Sequence, residues 1–162
     1  MFSPIQNALA LVVCLGAGIV GGVFFAFSNF VMKALAEQPA AAGVAAMQRI
    51  NAVVINPLFL GVFAGTALFS AGGLASAMFS WRAPYSPLVV VAALLYLIGC
   101  FGVTIAFNVP RNDRLAGMAA DSADAAAYWP VYVREWLFWN HVRTAASIAT
   151  AGCTAAALAF GS

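Results

Sequence analysis

Residues 131–144 gather more reactive chemistry than any other stretch of the chain. They hold the single histidine, His141, two of the four tryptophans, Trp136 and Trp139, and two of the seven basic residues, Arg134 and Arg143. Read as a helix, Tyr132, Trp136, Asn140 and Arg143 recur at spacings of four, four and three, so they share one face. Arg134, Phe138 and His141 line an adjacent face. An imidazole titrates near neutral pH and can take a proton. Amide donors and a fixed guanidinium can hold the anion that proton transfer leaves behind. A structural reading stands beside the chemical one: a lone histidine is commonly tied to a neighbour, an arginine near a helix end can run its head to the membrane surface, and tryptophans collect at membrane interfaces.

The elements that position these groups follow from composition. The chain has 162 residues, of which 64% are hydrophobic and 7% charged. A soluble domain carries about 25% charge, so a bilayer is the expected solvent. Four apolar runs, residues 8–32, 51–79, 88–109 and 137–160, are long enough to cross a hydrocarbon layer about 30 Å thick at about 1.5 Å per residue. The expected fold is all-α: one transmembrane domain over residues 1–162, a four-helix up-and-down bundle with amphipathic helical connections on one side. In that bundle Asn29 closes the first span, Asn51 and Asn56 open the second, Asn108 and Asn112 close the third, and Asn140 opens the fourth. All these amides then stand at one membrane level with Gln48, Arg49, His141 and Arg143, and only Asn7 lies at the other end. Amides in hydrocarbon are costly unless partnered. They must bond to one another or bind something.

Other features qualify this frame. The pattern Gly16-Ala-Gly18-Ile-Val-Gly21 matches GxGxxG, but no strand precedes it, so a dinucleotide site is not indicated. Gly18 with Gly22, and Gly61 with Gly65, have the small-xxx-small spacing that lets membrane helices approach, within the chain or between copies in a homo-oligomer. Residues 40–50 are alanine-rich and favour helix. Pro57 after Asn56 predicts a kink or break. The turn at 80–87, with Trp81, Arg82 and Tyr85, reads as an interfacial anchor, and Asp121-Ser122-Ala123-Asp124 as a helix start. Pro110 closes the third span, and Pro130 fits the first turn of the last helix. Cys14, Cys100 and Cys153 lack metal or redox spacing and read as buried apolar thiols. A net charge of +2 with no basic cluster excludes a nucleic-acid surface. Residues 1–7 carry no Lys or Arg, so the first run is expected to be retained rather than cleaved. Lys33, Arg49, Arg111, Arg114, Arg134 and Arg143 fall on the amide-rich side and Arg82 on the other. That bias predicts a multi-pass protein of a cell membrane, of the bacterial inner-membrane kind, with the polar site facing the cytoplasm and both termini outside.

Several of these stretches carry a family resemblance. Phe24-Phe-Ala-Phe-Ser-Asn29-Phe-Val-Met32 comes first, then Met47-Gln-Arg-Ile-Asn51 with Asn56-Pro-Leu-Phe59. Asn108-Val-Pro110-Arg-Asn112 and Trp136-Leu-Phe-Trp-Asn140-His141-Val-Arg143-Thr follow. In this order, over nearly the whole length, the chain resembles the anthrone oxygenase family of small four-helix integral membrane proteins. The resemblance implies an oxygenase that converts an anthrone to an anthraquinone with molecular oxygen as co-substrate. The sequence has no HxxH, ExxH or CxxC pattern, and one histidine supplies neither a two-His-one-carboxylate triad nor a bis-histidine haem. No metal, haem or other cofactor is therefore expected, and the substrate carbanion would pass its own electron to oxygen. On that reading His141 is the base, with Asn140 and Arg143 completing the catalytic set. Asn29, Asn51, Asn56, Asn108 and Asn112 bind the substrate's polar groups, while Phe25, Trp136 and Trp139 stack on a flat, hydrophobic aromatic ligand. The competing reading is a non-catalytic four-helix membrane protein whose polar rim binds a lipid, a quinone or a partner. A transporter is disfavoured, since no charged residue marks a path at mid-membrane.

Overall fold

A computed structural model describes residues 3–79 and 85–161. Among the described residues the elements are all helical. Helix α1 (Pro4–Ala26) continues through a π-helical turn, Phe27–Val31, into α2 (Met32–Ala36). Helices α3 (Ala40–Val53) and α4 (Pro57–Phe79) follow. Helix α5 (Ser86–Leu94) runs through π-helical stretches at Leu95–Gly102 and Thr104–Asn108 into α6 (Val109–Ala116), and α7 is Ala123–Gly161. Four rods, Pro4–Ala36, Pro57–Phe79, Ser86–Ala116 and Ala123–Gly161, are long and apolar enough to cross a membrane. The molecule is the expected all-α, multi-pass bundle, with α3 as the helical connection between the first two spans.

Three boundaries differ from those expected, each for a local reason. The second span begins at Pro57, not at residue 51, because Asn56 caps α4: its Oδ1 accepts from the Phe59 N–H at 3.0 Å, and Pro57 fills the first helical position, where a missing N–H costs nothing. Asn51 therefore belongs to α3. The third span does not stop at Pro110, which lies in the first turn of α6 and lets the rod continue. The last helix begins about two turns before Pro130. Ser122 Oγ accepts from the Ala125 N–H at 3.1 Å, the helix runs 39 residues, and Pro130 sits inside it rather than at its start. Of the aromatic turn, Trp81 and Arg82 lie outside the described residues, and Tyr85 is buried.

Helix α7 packs along α1, α5, α3 and the π-helical stretches, while α4 packs on α1 and α5. Glycines set two of the closest approaches. A Cβ on Gly99 would stand 2.8 Å from that of Ala146, and one on Gly43 would stand 2.8 Å from both the Leu35 carbonyl and the Trp129 ring. Only a glycine lets α3 fit against α2 and α7 at that point. Gly18, Gly22, Gly61 and Gly65 face open space instead, so their spacing serves no close packing among the described residues. Of the cysteines, Cys100 is buried and Cys14 and Cys153 are half-buried; all three are free thiols. Two apolar cores result. One, toward the end remote from the termini, is built on Met32, Val44, Met47, Leu115, Trp129, Tyr132 and Trp136. The other fills the middle of the bundle with Val20, Phe24, Phe63, Tyr96, Cys100 and Ala146.

Candidate functional site

Between the two cores the packing opens into a cavity of about 570 Å³, within the range of small-molecule sites. Its walls are largely apolar, with aromatic rings from four spans among them: Phe24 and Phe27 from the first span, Phe59 and Phe63 from α4, Phe101 from the third span and Trp136 from α7. Phe59 and Phe63 stack at 5.9 Å with an interplanar angle of 8°, and Phe63 stacks on Phe101 at 5.1 Å. The polar lining is sparse. Gln48, Asn51, Asn112 and Asp113 line it from α3 and α6, and Thr104 and Arg143 line it further into the bundle.

The inward face of α7 is the one its spacing predicts: Tyr132, Trp136, Asn140 and Arg143 are all buried. Asn140 ties this face to the first span. Its Nδ2 donates to the Phe24 carbonyl and to Ser28 Oγ, both at 2.8 Å, beside the π-helical turn that loosens the backbone ladder there. Its Oδ1 accepts from Arg143 Nε at 2.9 Å. The guanidinium thus fixed lies 3.9 Å from the centroid of Phe24 and 4.8 Å from that of Trp136. Its Nη1 stands 3.5 Å from Thr104 Oγ1, the limit of a hydrogen bond. Arg143 is 5% exposed. Among the described residues the ion pair is Arg111 with Glu135, at 2.9 Å, and no carboxylate reaches Arg143. The aromatic faces offset part of the cost of this burial, but the charge has no counter-ion among the described residues.

Most of the amides are satisfied internally. Tyr132 donates its hydroxyl to Asn112 Oδ1 at 2.8 Å and accepts from Asn51 Nδ2 at 3.4 Å, which braces α3 against α6 through α7. Gln48 Nε2 donates to the Leu115 and Met118 carbonyls, both at 2.8 Å. Asn56 is a helix cap that also donates to the Val53 carbonyl at 3.0 Å. Asn108 is buried and donates to the Trp136 carbonyl at 3.1 Å. Four buried polar atoms, Ser70 Oγ, Asn108 Oδ1, Trp129 Nε1 and Trp136 Nε1, have no partner among the described residues, and of their residues only Trp136 lines the cavity.

The structure does not bring every expected residue to this site. His141 is exposed on the outer face of α7: Asn140 takes the inward direction, and the next residue of a helix is turned by about 100°. The expected base therefore does not face the cavity. Asn29 is exposed, because its neighbour Ser28 meets Asn140, and Phe25 is 50% exposed on the same outer side of the first span. Trp139 is half-buried outside the cavity, its ring 3.6 Å from that of Phe107. Conversely, Asp113 was not singled out by its sequence context. Of the five acidic residues it alone lines the cavity, and its one signal is its place directly after Asn112 in an asparagine-rich turn. Thr104, Phe59, Phe63 and Phe101 also line the cavity, and their spacing carries no mark of it. Among the described residues no three His, Cys, Asp or Glu side chains converge to hold a metal ion.

No curated protein and no solved structure matches the chain. The family model for anthrone oxygenase matches residues 45–153. That range covers about two thirds of the chain, starts within α3 and contains Gln48, Asn51, Asn112, Asp113, Asn140 and Arg143 as well as the second and third spans and most of the fourth. On that match the chain belongs to the anthrone oxygenase family.

Proposed function

We propose that the cavity binds a flat, weakly acidic polycyclic aromatic of the anthrone type as its anion and that the protein oxygenates it with O2, without a resident cofactor. The observation that carries this reading is Arg143, a guanidinium 5% exposed, free of any carboxylate among the described residues, lining a largely apolar cavity of about 570 Å³. A ligand anion is the counter-charge that such a cation lacks. Trp136, which lines the same cavity, has an indole Nε1 donor without a partner among the described residues. The walls offered by Phe59, Phe63 and Phe101 suit a planar ring system.

The chemistry follows from the substrate. Loss of a proton from the methylene carbon opposite the carbonyl leaves an electron pair delocalised onto the carbonyl oxygen, where Arg143 stabilises it. The carbanion gives one electron to O2, and the radical pair joins in a carbon–oxygen bond, forming a peroxide anion. After its protonation, loss of the second methylene proton with cleavage of the O–O bond releases water and leaves a second carbonyl. One oxygen atom of O2 ends in the quinone and the other in water, and all the electrons come from the substrate. The excess of Lys and Arg toward the cavity end supports an orientation with the cavity opening to the cytoplasm of a bacterial inner membrane and both termini outside.

The test is turnover in proteoliposomes, followed as anthraquinone absorbance and O2 consumption against protein-free liposomes. One O2 is expected per anthrone, and Arg143→Gln is expected to lower kcat/KM by about 10²-fold or more. Rates no higher than those of empty liposomes, or an Arg143→Gln variant as fast as the wild type, overturn the reading. Saturable binding of a quinone without turnover points to the non-catalytic alternative.

A further inference from the structure

We infer that Asp113 is the base that deprotonates the substrate, working from the mouth of a cavity whose deep end is held by Arg143. The inference rests on the anion-binding reading of that cavity. Of the other acidic side chains, Glu135 is paired with Arg111, and Glu37, Asp121 and Asp124 do not line the cavity. The neighbouring cations on α6 are engaged elsewhere: Arg111 with Glu135, and Arg114 over the Tyr128 ring at 4.0 Å. Asp113 is exposed at the rim, and no hydrogen bond or ion pair holds its carboxylate among the described residues. His141 faces outward, and the Tyr132 hydroxyl is committed to Asn112.

Asp113 and Arg143 line one cavity without meeting. Thr104, which touches Arg143, lies nine residues before Asp113 on a continuous rod, at most about 14 Å along the axis at about 1.5 Å per residue. In an anthrone the carbonyl oxygen and the methylene carbon lie opposite each other across the central ring, and a side chain reaching in from each end takes up the rest of that gap. Asp113 Oδ would take the methylene proton, the C–H electron pair staying on the ring system and its charge settling on the oxygen beside Arg143. The protonated carboxyl then gives that proton to the peroxide formed with O2. The regenerated carboxylate takes the second methylene proton as the O–O bond breaks; the departing hydroxide receives it and leaves as water.

The experiment is anthrone turnover by Asp113→Ala, Asp113→Asn and Arg143→Gln in proteoliposomes, with and without added acetate. Asp113→Ala and Asp113→Asn are expected to lose about 10²-fold or more in kcat with little change in KM. Acetate, which can enter at an exposed rim, is expected to restore turnover in Asp113→Ala as its concentration rises, and to do nothing for Arg143→Gln. Deuterium at the reacting methylene should slow the Asp113 variants more than the wild type. Asp113 variants within about threefold of the wild-type kcat, alongside an inactive Arg143→Gln, overturn the inference and leave the anion site standing. A raised KM without acetate rescue makes Asp113 structural and overturns it too. Full activity in Arg143→Gln removes the anion reading on which the inference rests. The isosteric Asp113→Asn supplies the rate if Asp113→Ala does not fold.

Discussion

Arg143→Met separates the cost of a buried charge from its use. Arginine inside a bilayer-spanning helix costs about 2.5–3.5 kcal/mol, which methionine removes. Against this the variant forfeits the charge-assisted bond to Asn140 Oδ1, about 1.5–3 kcal/mol, and the contacts over Phe24 and Trp136, about 0.5–1 kcal/mol each. Methionine keeps an apolar stem against the same rings. The two sides nearly cancel, so the ligand-free variant is expected within about 1.5 kcal/mol of the wild type, or about 5 °C in Tm for a chain of this size. The ligand response should differ sharply. At 100-fold excess over Kd, anthrone is expected to stabilise the wild type by about 2.7 kcal/mol, a rise of about 5–10 °C, and to leave Arg143→Met unmoved. Thermal unfolding in detergent, followed by tryptophan fluorescence under argon so that no O2 is consumed, reads both numbers. A ligand-free variant melting more than about 10 °C below the wild type would mean that Arg143 is one half of a structural charge pair, whose breakage costs about 3–5 kcal/mol. A ligand shift that survives in the variant would refute the counter-ion role directly.

Asn140→Ala removes two bonds to the first span and one to Arg143. At about 0.6 kcal/mol for each interhelical bond in a membrane and about 1.5–3 for the charged one, it should destabilise by about 3 kcal/mol, measurable as a Tm lowered by about 6–12 °C; the loss should shrink in the Asn140→Ala/Arg143→Met double variant, because the two residues share a bond. His141→Ala, on the outer face of α7, is expected to keep kcat/KM within about twofold of the wild type in the proteoliposome assay, and a tenfold loss would return the histidine to the chemistry.

The helical period places residues relative to one another within a single rod, which is why Tyr132, Trp136, Asn140 and Arg143 were legible as one inward face. The same period set His141 on the adjacent face, and reading its chemistry ahead of its direction put it in the site. Asn29 shows a second limit. Span boundaries fix its depth, but which way it turns depends on the pairing of Ser28 with Asn140 across two helices and on a π-helical turn at Phe27–Val31, and neither has a propensity signature. Asp113 was hidden by Pro110. A proline after an apolar run reads as a stop, whereas here it fills the first turn of α6 and the rod carries Asp113 back over the cavity. Asn56 before Pro57 is the opposite case: cap and first-turn proline are local, and together they explain why that amide is structural.

The separation of Asp113 from Arg143 discriminates among ligands. Opposite charges in a low-dielectric interior attract strongly, and a contact between these two would neutralise the site and close it. Helix α6 holds the carboxylate at the rim, the Tyr132 bridge to Asn51 and Asn112 braces that rim, and Asn140 clamps the guanidinium at depth. An aromatic gap is left between a proton acceptor and a cation. A lipid or a quinone has no acidic C–H to give and would use the cation alone. A neutral aromatic with an acidic C–H uses both ends, since its proton moves to the carboxylate while its charge stays beside the guanidinium. Water admitted between the two would screen that field, so a ligand flat enough to fill the gap and exclude it is the one this geometry serves best.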